Sequence, residues 1–234
     1  MSGLLNIFSI NQVFIIIFFI ALLVWISFLS DRKPKRKVLF FGYSITQQGA
    51  GPNGYISILE CMLQDESIKT FSLSESGIGG NTVDDLLSRV GKDVLSAKPD
   101  LVIVYAGIND AWRKRFTGSH TDEASFEKTY RKIVDRLCKN GISVAVCTLG
   151  VIGEKKNNAN ELDQVLDAYS NIISNIAAEY KISLIDLRSI FKKYEAEHNK
   201  ADYDKGILTT DAVHLNFAGN ELLAGIMLDL LKQL

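Results

Sequence analysis

A nine-residue segment in the first quarter of the chain reads Val38-Leu39-Phe40-Phe41-Gly42-Tyr43-Ser44-Ile45-Thr46. An apolar run ends here at a glycine, and a serine follows two positions later. Such a run, closed by a turn residue, predicts a buried strand with Ser44 at its carboxyl end. Functional sites of open parallel α/β sheets lie along that edge. Ser44 is therefore a candidate nucleophile, and equally a candidate N-cap of the next helix.

Strand and helix patterns alternate from Val38 to the end of the chain, without internal repeats. Apolar runs predict five strands, at 38–41, 69–73, 101–105, 142–149 and 182–185. The segments between them carry apolar residues at helical spacing, most clearly at 162–176. This alternation predicts an α/β fold, a three-layer α/β/α sandwich around a five-stranded, mostly parallel sheet.

The amino terminus differs in composition from the rest of the chain. Residues 1–30 carry no charged side chain, and 13–29 are almost wholly apolar. A helix over that run would be roughly 25 Å long, close to the thickness of a bilayer core. Basic residues follow the run and none precede it, which favours an uncleaved transmembrane anchor over a cleaved signal peptide. The predicted parts are an anchor at 1–30, a basic juxtamembrane flank at 31–37 and a folded domain at 38–234.

The same asymmetry predicts a single-pass membrane protein whose domain lies on the cytoplasmic side, the alternative being an exported domain. The chain has 26 basic and 27 acidic residues. Residues 31–37 hold five of the basic and one of the acidic residues, so the predicted domain keeps 21 basic and 26 acidic residues, a net charge near −5. A domain of this charge offers no basic face to nucleic acid, and no nucleic-acid partner is predicted. The sequence leaves the oligomeric state open.

Cysteine and histidine usage predicts no metal site and no cofactor. The three cysteines, Cys61, Cys138 and Cys147, are odd in number and have no paired spacing. They therefore indicate neither a disulfide framework nor a zinc site. No group of histidine, aspartate and glutamate residues has metal-ligand spacing either.

Three further polar segments could carry chemistry. Residues 77–82 and 107–110 follow predicted strands, and 211–214 precedes the last predicted helix. Asp211 and His214 are three positions apart, which in a helical turn places them on one face. The carboxylate can then orient the imidazole and leave its other nitrogen free to act as a base. The alternative is a surface pair near a helix end.

The other two segments could supply hydrogen-bond donors. Residues 77–82 lack dinucleotide-binding spacing, because Thr82 stands where the third glycine belongs. Their glycines can let the backbone present an N–H to a reacting group, or simply form a turn. Asn109 can donate its amide to an anion, or cap the next helix. With Ser44 and the 211–214 pair, these segments meet the needs of an acyl-transfer site.

In this order, the four segments resemble those of the SGNH (GDSL-type) hydrolases. The resemblance covers the chain from Val38 onward and is strongest at 107–110 and at 208–219, which reads Leu-Thr-Thr-Asp-Ala-Val-His-Leu-Asn-Phe-Ala-Gly. It implies a flavodoxin-like sandwich and metal-free hydrolysis of carboxylic esters through an acyl-enzyme. In this resemblance Ser44 is the nucleophile, His214 the base and Asp211 the acid that orients it. The oxyanion donors it implies are the N–H groups of Ser44 and Gly80 and the side-chain amide of Asn109.

One position departs from the family pattern. Tyr43 stands where the family has the aspartate of Gly-Asp-Ser, an acid that supports the nucleophile's turn and is not a triad member. Tyr43 and Trp112 are also candidates to line the substrate pocket. The expected partner is a small-molecule or lipid ester: an acyl ester, a thioester, a lysophospholipid or an acetylated sugar. The alternatives are a weakened domain that binds an acylated ligand without turnover and, less favoured, a metal-dependent hydrolase.

Overall fold

The computed structural model describes residues 14–15, 17–22 and 34–234. The chain divides into two compact units, Met1–Lys35 and Arg36–Leu234. In the first unit, residues 14–15 and 17–22 are helical, and 34–35 belong to no helix or strand. The second unit contains the sheet, its helices and the candidate site.

The predicted membrane anchor requires a correction. Most of residues 1–30, together with 31–33 of the predicted flank, lie outside the described residues. Across the part of the chain that is described, no helix is both long enough and apolar enough to cross a membrane. This finding overturns the prediction of a single-pass membrane protein, and with it the predicted orientation. The prediction rested on the apolar composition of one stretch and on the charges beside it.

Five strands form one parallel sheet with the neighbour order β2-β1-β3-β4-β5. Every residue of β3 is buried, although successive strand residues point to opposite faces, so both faces of the sheet are covered. The predicted α/β fold with a five-stranded parallel sheet is confirmed. The strands are β1 Arg36–Gly42, β2 Phe71–Gly77, β3 Leu101–Tyr105, β4 Ser143–Cys147 and β5 Ser183–Ile185.

Helices follow the strands and form two packed groups. In one group α2 packs against α9, and in the other α3 and α7 each pack against α6. The helices are α1 Ser44–Gly49, α2 Tyr55–Asp65, α3 Val83–Arg89, α4 Ile108–Trp112, α5 Lys114–Thr117, α6 Glu123–Lys139, α7 Asp163–Tyr180, α8 Leu187–His198 and α9 Phe217–Lys232. A π-helical turn, Val90–Leu95, continues α3, so the helical segment between β2 and β3 changes its hydrogen-bond spacing at Arg89.

The register of the sheet determines where the candidate residues lie. Gly42, the last residue of β1, pairs with Gly77 of β2 on one side and with Tyr105 of β3 on the other. All three strands run in the same direction, so the segments that follow them emerge side by side at one edge. The sheet therefore brings together three of the four polar segments singled out in the sequence.

Candidate active site

The turn after β1 depends on the close approach of Gly42 to its neighbours. A Cβ atom at this position would lie 2.3 Å from Thr46 Oγ1 and 2.5 Å from the carbonyl oxygen of Tyr105. Only glycine fits without displacing them. The chain can then turn at once into α1, in which Ser44 is the first residue and Tyr43 the N-cap. Ser44 is thus not the N-cap, and its side chain bonds elsewhere.

The side chain of Ser44 belongs to a three-residue hydrogen-bonded chain. Ser44 Oγ lies 2.9 Å from His214 Nε2, and His214 Nδ1 lies 2.7 Å from Asp211 Oδ2. With Nδ1–H donating to the carboxylate, Nε2 is left to accept the proton of the Ser44 hydroxyl. Partial burial raises the pKa of Asp211, but hydrogen bonds from His214 and Val213 outweigh it and hold that pKa below its usual range.

The Asp211–His214 pair forms in a way that the sequence did not predict. Residues 211–214 are not helical, and Ala212 has a φ of +78°, in the left-handed region. Asp211 Oδ1 accepts the backbone N–H groups of Val213 and His214 at 3.1 and 2.8 Å. The aspartate thereby closes a tight turn with its own side chain. Asp211 and His214 therefore lie on the same side of the chain, as expected, but a tight turn and not a helical turn places them there.

The loop from Gly77 to Thr82 is held in place by bonds from its own backbone. The N–H groups of Ile78 and Gly79 donate to the Gly42 carbonyl at 3.3 Å and to Gln47 Oε1 at 3.0 Å. Gly80 has a φ of +79°, which favours glycine, and a Cβ there would meet nothing within 4 Å. Within the described residues, Gly80 N–H has no protein acceptor, and Gly80 is exposed.

Two further donors lie beside this loop. Ser44 N–H has no intrahelical acceptor, because Ser44 begins α1. Asn109 Nδ2 donates one hydrogen to the carbonyl of Asn81 at 2.9 Å, which leaves the second hydrogen of that amide. Asn109 lies inside α4, whose N-cap is Gly107, so it does not act as a cap. Two backbone N–H groups and one amide hydrogen, all in segments that follow β1, β2 and β3 at one edge of the sheet, are thus without a protein acceptor within the described residues.

This arrangement accompanies a match to a known family. The chain fits the sequence profile of the GDSL-like Lipase/Acylhydrolase family over residues 40–222, most of its length. It belongs to that family, the SGNH hydrolases. The protein is therefore an ester-hydrolysing enzyme of the GDSL type, and a domain that only binds an acylated ligand is not favoured.

Several acetylxylan esterases are similar to this GDSL-type enzyme. AlAXEase, an acetyl xylan esterase of known crystal structure, is 42% identical with a TM-score of 0.81, covering 83% of this chain and 98% of its own. The acetylxylan esterase of Geobacillus stearothermophilus is 28% identical over 80% of this chain and 90% of its own. A catalytic mutant of Axe2 from that organism, with a serine replaced by alanine, has a TM-score of 0.74 at 28% identity, covering 85% and 94%.

The two predicted pocket residues differ in their surroundings. Tyr43 is fully buried, and its ring centroid lies 5.3 Å from that of Tyr105. Burial raises the pKa of Tyr43 well above its ordinary value. The side chain therefore lies in the core of this GDSL-type enzyme, and the structure does not place it in an open pocket. Trp112 is partly buried and packs against the core from α4, the helix that carries Asn109.

The sequence did not single out two charged side chains, Arg89 and Glu154, that hydrogen-bond the segments of the candidate site. Arg89 reaches the β1 turn and the Gly77–Thr82 loop, and Glu154 accepts bonds from residues just before Asp211. Both lie in segments that carry several other charged residues, so composition does not single them out. For Arg89 the available signal was its spacing, three positions after the buried Leu86 of an amphipathic helix.

Proposed function

We propose that this GDSL-type hydrolase removes acetyl groups from an acetylated carbohydrate through an acyl-enzyme on Ser44. One observation carries the proposal: Ser44 Oγ, His214 and Asp211 form a hydrogen-bonded chain with distances of 2.9 and 2.7 Å. The names of relatives at 42% and 28% identity, both acetylxylan esterases, support the acetyl group and the sugar. Among the esters that the sequence left open, these names favour the acetylated sugar.

In the first half of the proposed reaction, Ser44 Oγ attacks the carbonyl carbon of the acetyl ester. The hydroxyl proton passes to His214 Nε2 as the new C–O bond forms. The resulting imidazolium is stabilised by Asp211, which also keeps Nδ1–H directed toward its own carboxylate. The bond to the sugar oxygen then breaks, and His214 returns the proton to that oxygen. The carbohydrate leaves with a free hydroxyl, and the acetyl group remains on Ser44.

In the second half, water attacks the acetyl-serine carbonyl and gives one proton to His214 Nε2. The C–O bond to Ser44 breaks, Ser44 recovers that proton from His214, and acetic acid leaves and ionises to acetate in solution. Each half passes through a tetrahedral oxyanion. We assign its binding to the N–H groups of Ser44 and Gly80 and to the free N–H of Asn109, because all three follow strands that end at the same edge of the sheet. Loss of one such donor costs about 3 kcal/mol of transition-state stabilisation in known hydrolases.

The proposal can be tested on the full-length protein with a chain-length series. We expect kcat/KM to be highest for p-nitrophenyl acetate and to fall at least about tenfold for the octanoate ester, since an acetyl site gains no binding energy from a longer chain. Acetate release from an acetylated xylo-oligosaccharide should accompany this preference. Ser44→Ala should lower kcat by at least about 10⁴-fold.

A second serine-to-alanine variant is the control that distinguishes loss of the nucleophile from the general effect of removing a serine hydroxyl. Ser57 bonds the Ala50 carbonyl at 3.1 Å from the exposed side of α2, and Ser57→Ala should keep wild-type activity. Fatty-acid release from a lysophospholipid and hydrolysis of acetyl-CoA test the other substrate classes. Preference for a long-chain substrate would refute the acetyl assignment, and full activity of Ser44→Ala would refute the nucleophile.

A further inference from the structure

Arg89, the last residue of α3, has a side chain that is only 10% exposed. Its guanidinium carbon lies 4.6 Å from the centre of the Phe41 ring, within the range of a cation–π contact. A guanidinium has five N–H donors, and all five have acceptors here. The acceptors, with their distances, are Asn81 Oδ1 at 2.8 Å, Ser76 Oγ at 2.7 Å, Asp93 Oδ2 at 2.7 Å, Gly42 O at 2.6 Å and Ser76 O at 3.1 Å.

Two of these acceptors lie next to the proposed oxyanion donors. Gly42, whose carbonyl accepts the shortest of the five bonds, precedes Ser44 by two residues. Asn81 directly follows Gly80, and its carbonyl accepts the amide of Asn109. One rigid, planar group thus connects the Gly42 carbonyl with the side chain of Asn81, whose own carbonyl accepts from Asn109.

We propose that Arg89 is the positioning residue of the oxyanion hole, setting the distances among Ser44 N–H, Gly80 N–H and the Asn109 amide. This inference rests on the proposed function of those three donors. Such donors act only within about 2.7–3.1 Å of the developing oxyanion. A guanidinium that bonds both sides of the site prevents the two loops from drifting apart by fractions of an ångström.

The Arg89 charge is balanced inside the same helical element. Asp93 lies one turn further along and accepts both Arg89 Nη1 and the hydroxyl of Ser76. The hydrogen bond from Arg89 holds the pKa of Asp93 below its usual range. Because the pair is complete, the buried guanidinium carries no uncompensated charge and remains available to bond backbone carbonyls.

Lysine at position 89 tests this role, since an ammonium is a point charge with three donors and cannot reproduce the planar fork. We expect Arg89→Lys to lower kcat for p-nitrophenyl acetate about 10²- to 10³-fold, with KM changed less than about threefold. In Arg89→Ala, added ethylguanidinium should restore part of kcat in a saturable way. Thermal unfolding followed by circular dichroism establishes that each variant is folded at the assay temperature.

Arg188→Lys is the matched control. Arg188 is also buried, at 4% exposure, and bonds Asp163, Asp167 and the Gly150 carbonyl, none of which lies in the oxyanion segments. It should lose stability but keep kcat within about threefold while folded. If Arg89→Lys does not fold, Asn81→Ala, which removes the acceptor of Nε, should lower kcat about tenfold at unchanged KM.

The outcomes separate the two proposals. A wild-type enzyme without turnover of any ester, or with turnover that survives Ser44→Ala, refutes the proposed function itself. An active wild type with unchanged kcat in folded Arg89→Lys, or in Asn81→Ala where the lysine variant does not fold, refutes only the role of Arg89. Equal losses of kcat in Arg89→Lys and Arg188→Lys also refute it, because both would then reflect lost stability.

Discussion

Replacing Glu154 with glutamine tests what holds the segment that leads to Asp211. Glu154 is fully buried in the connection between β4 and α7. Its Oε1 accepts the N–H groups of Leu208 and Thr209 at 2.7 and 2.6 Å and the Thr209 hydroxyl at 2.8 Å. Its Oε2 accepts the N–H of Ile207 at 2.7 Å. All four partners are donors, so a side chain with only acceptor atoms suits this position.

Glutamine keeps one acceptor oxygen and introduces an NH₂ group that cannot accept. In its better orientation this group faces Ile207 N–H, and that bond is lost. A hydrogen bond to a charged group contributes about 1.5–3 kcal/mol, and a buried unsatisfied N–H costs about 1–3 kcal/mol. The three remaining bonds also weaken when the negative charge is removed. We therefore expect Glu154→Gln to lower the free energy of unfolding by about 3–5 kcal/mol, a large part of a typical total of about 5–15 kcal/mol.

Glu195→Gln is the matched control, because Glu195 is a second buried glutamate with the opposite chemistry. Its Oε1 has no hydrogen-bond partner in the described structure. Burial, followed by the charge of Glu154, raises the pKa of Glu195 to about 8, so its carboxyl is mostly neutral at pH 7. Glutamine has nearly the same shape and is also neutral. At pH 7 the unfolded carboxyl has lost its proton while the folded one keeps it, so Glu195→Gln should raise the free energy of unfolding, by up to about 3 kcal/mol.

Urea unfolding at pH 7, followed by circular dichroism, measures both variants under identical conditions. A loss below about 1 kcal/mol in Glu154→Gln would show that the four bonds do not hold the 207–209 segment. Equal losses in the two variants would show that any change to a buried glutamate destabilises this region. Either result would refute the distinction drawn between an acceptor of four hydrogen bonds and a neutral acid.

Three other substitutions, at two positions, follow from buried polar groups. Burial raises the pKa of Asp110 to about 7, so between pH 4 and 7 the folded state binds the proton that the unfolded state has lost, and stability falls as pH rises. An asparagine side chain still accepts the N–H of Val83 but does not titrate. Asp110→Asn should therefore remove the pH dependence of stability and raise the free energy of unfolding by up to about 4 kcal/mol at pH 8. Urea unfolding at pH 4.5 and 8 measures both, and an unchanged pH dependence would contradict this. In the part of the chain that the structure describes, Tyr43 Oη is buried with no partner at hydrogen-bond geometry, so Tyr43→Phe should keep stability and esterase activity. Tyr43→Asp should lose at least about 3 kcal/mol of stability, and a stable Tyr43→Asp would contradict this.

The fold could be predicted because its signals are local. Each buried parallel strand is a continuous apolar run, and β3, Leu101–Tyr105, shows this most clearly. The strand ends then predicted which segments would meet, since parallel strands bring their carboxyl ends to one edge. The segment that precedes α9 is the exception. Its tight turn depends on the Asp211 side chain bonding its own backbone, and a three-residue spacing alone does not distinguish such a turn from a helical one.

The backbone contacts that Arg89 and Glu154 make could not be predicted, because the decisive partners are distant in sequence. Arg89 bonds a carbonyl 47 positions away, and Glu154 bonds an N–H 55 positions away. The loop that carries Glu154 has the polar composition of an exposed connection, yet this side chain is fully buried. The reason is the backbone of residues 207–209, whose N–H groups face the interior and require acceptors. A polar residue in a loop can therefore be an interior residue.

The aromatic residue at position 43 and the Arg89–Asp93 pair have a common explanation. With Tyr43 packed in the core against Tyr105, the turn before Ser44 has no carboxylate of its own. The guanidinium that bonds the Gly42 carbonyl must then be neutralised from elsewhere, and Asp93 does so from the next helical turn. Because Arg89 and Asp93 are four positions apart in one helical element, they can pair as that element forms. The turn before Ser44 is therefore ordered without a carboxylate at position 43, and Tyr43 contributes core packing.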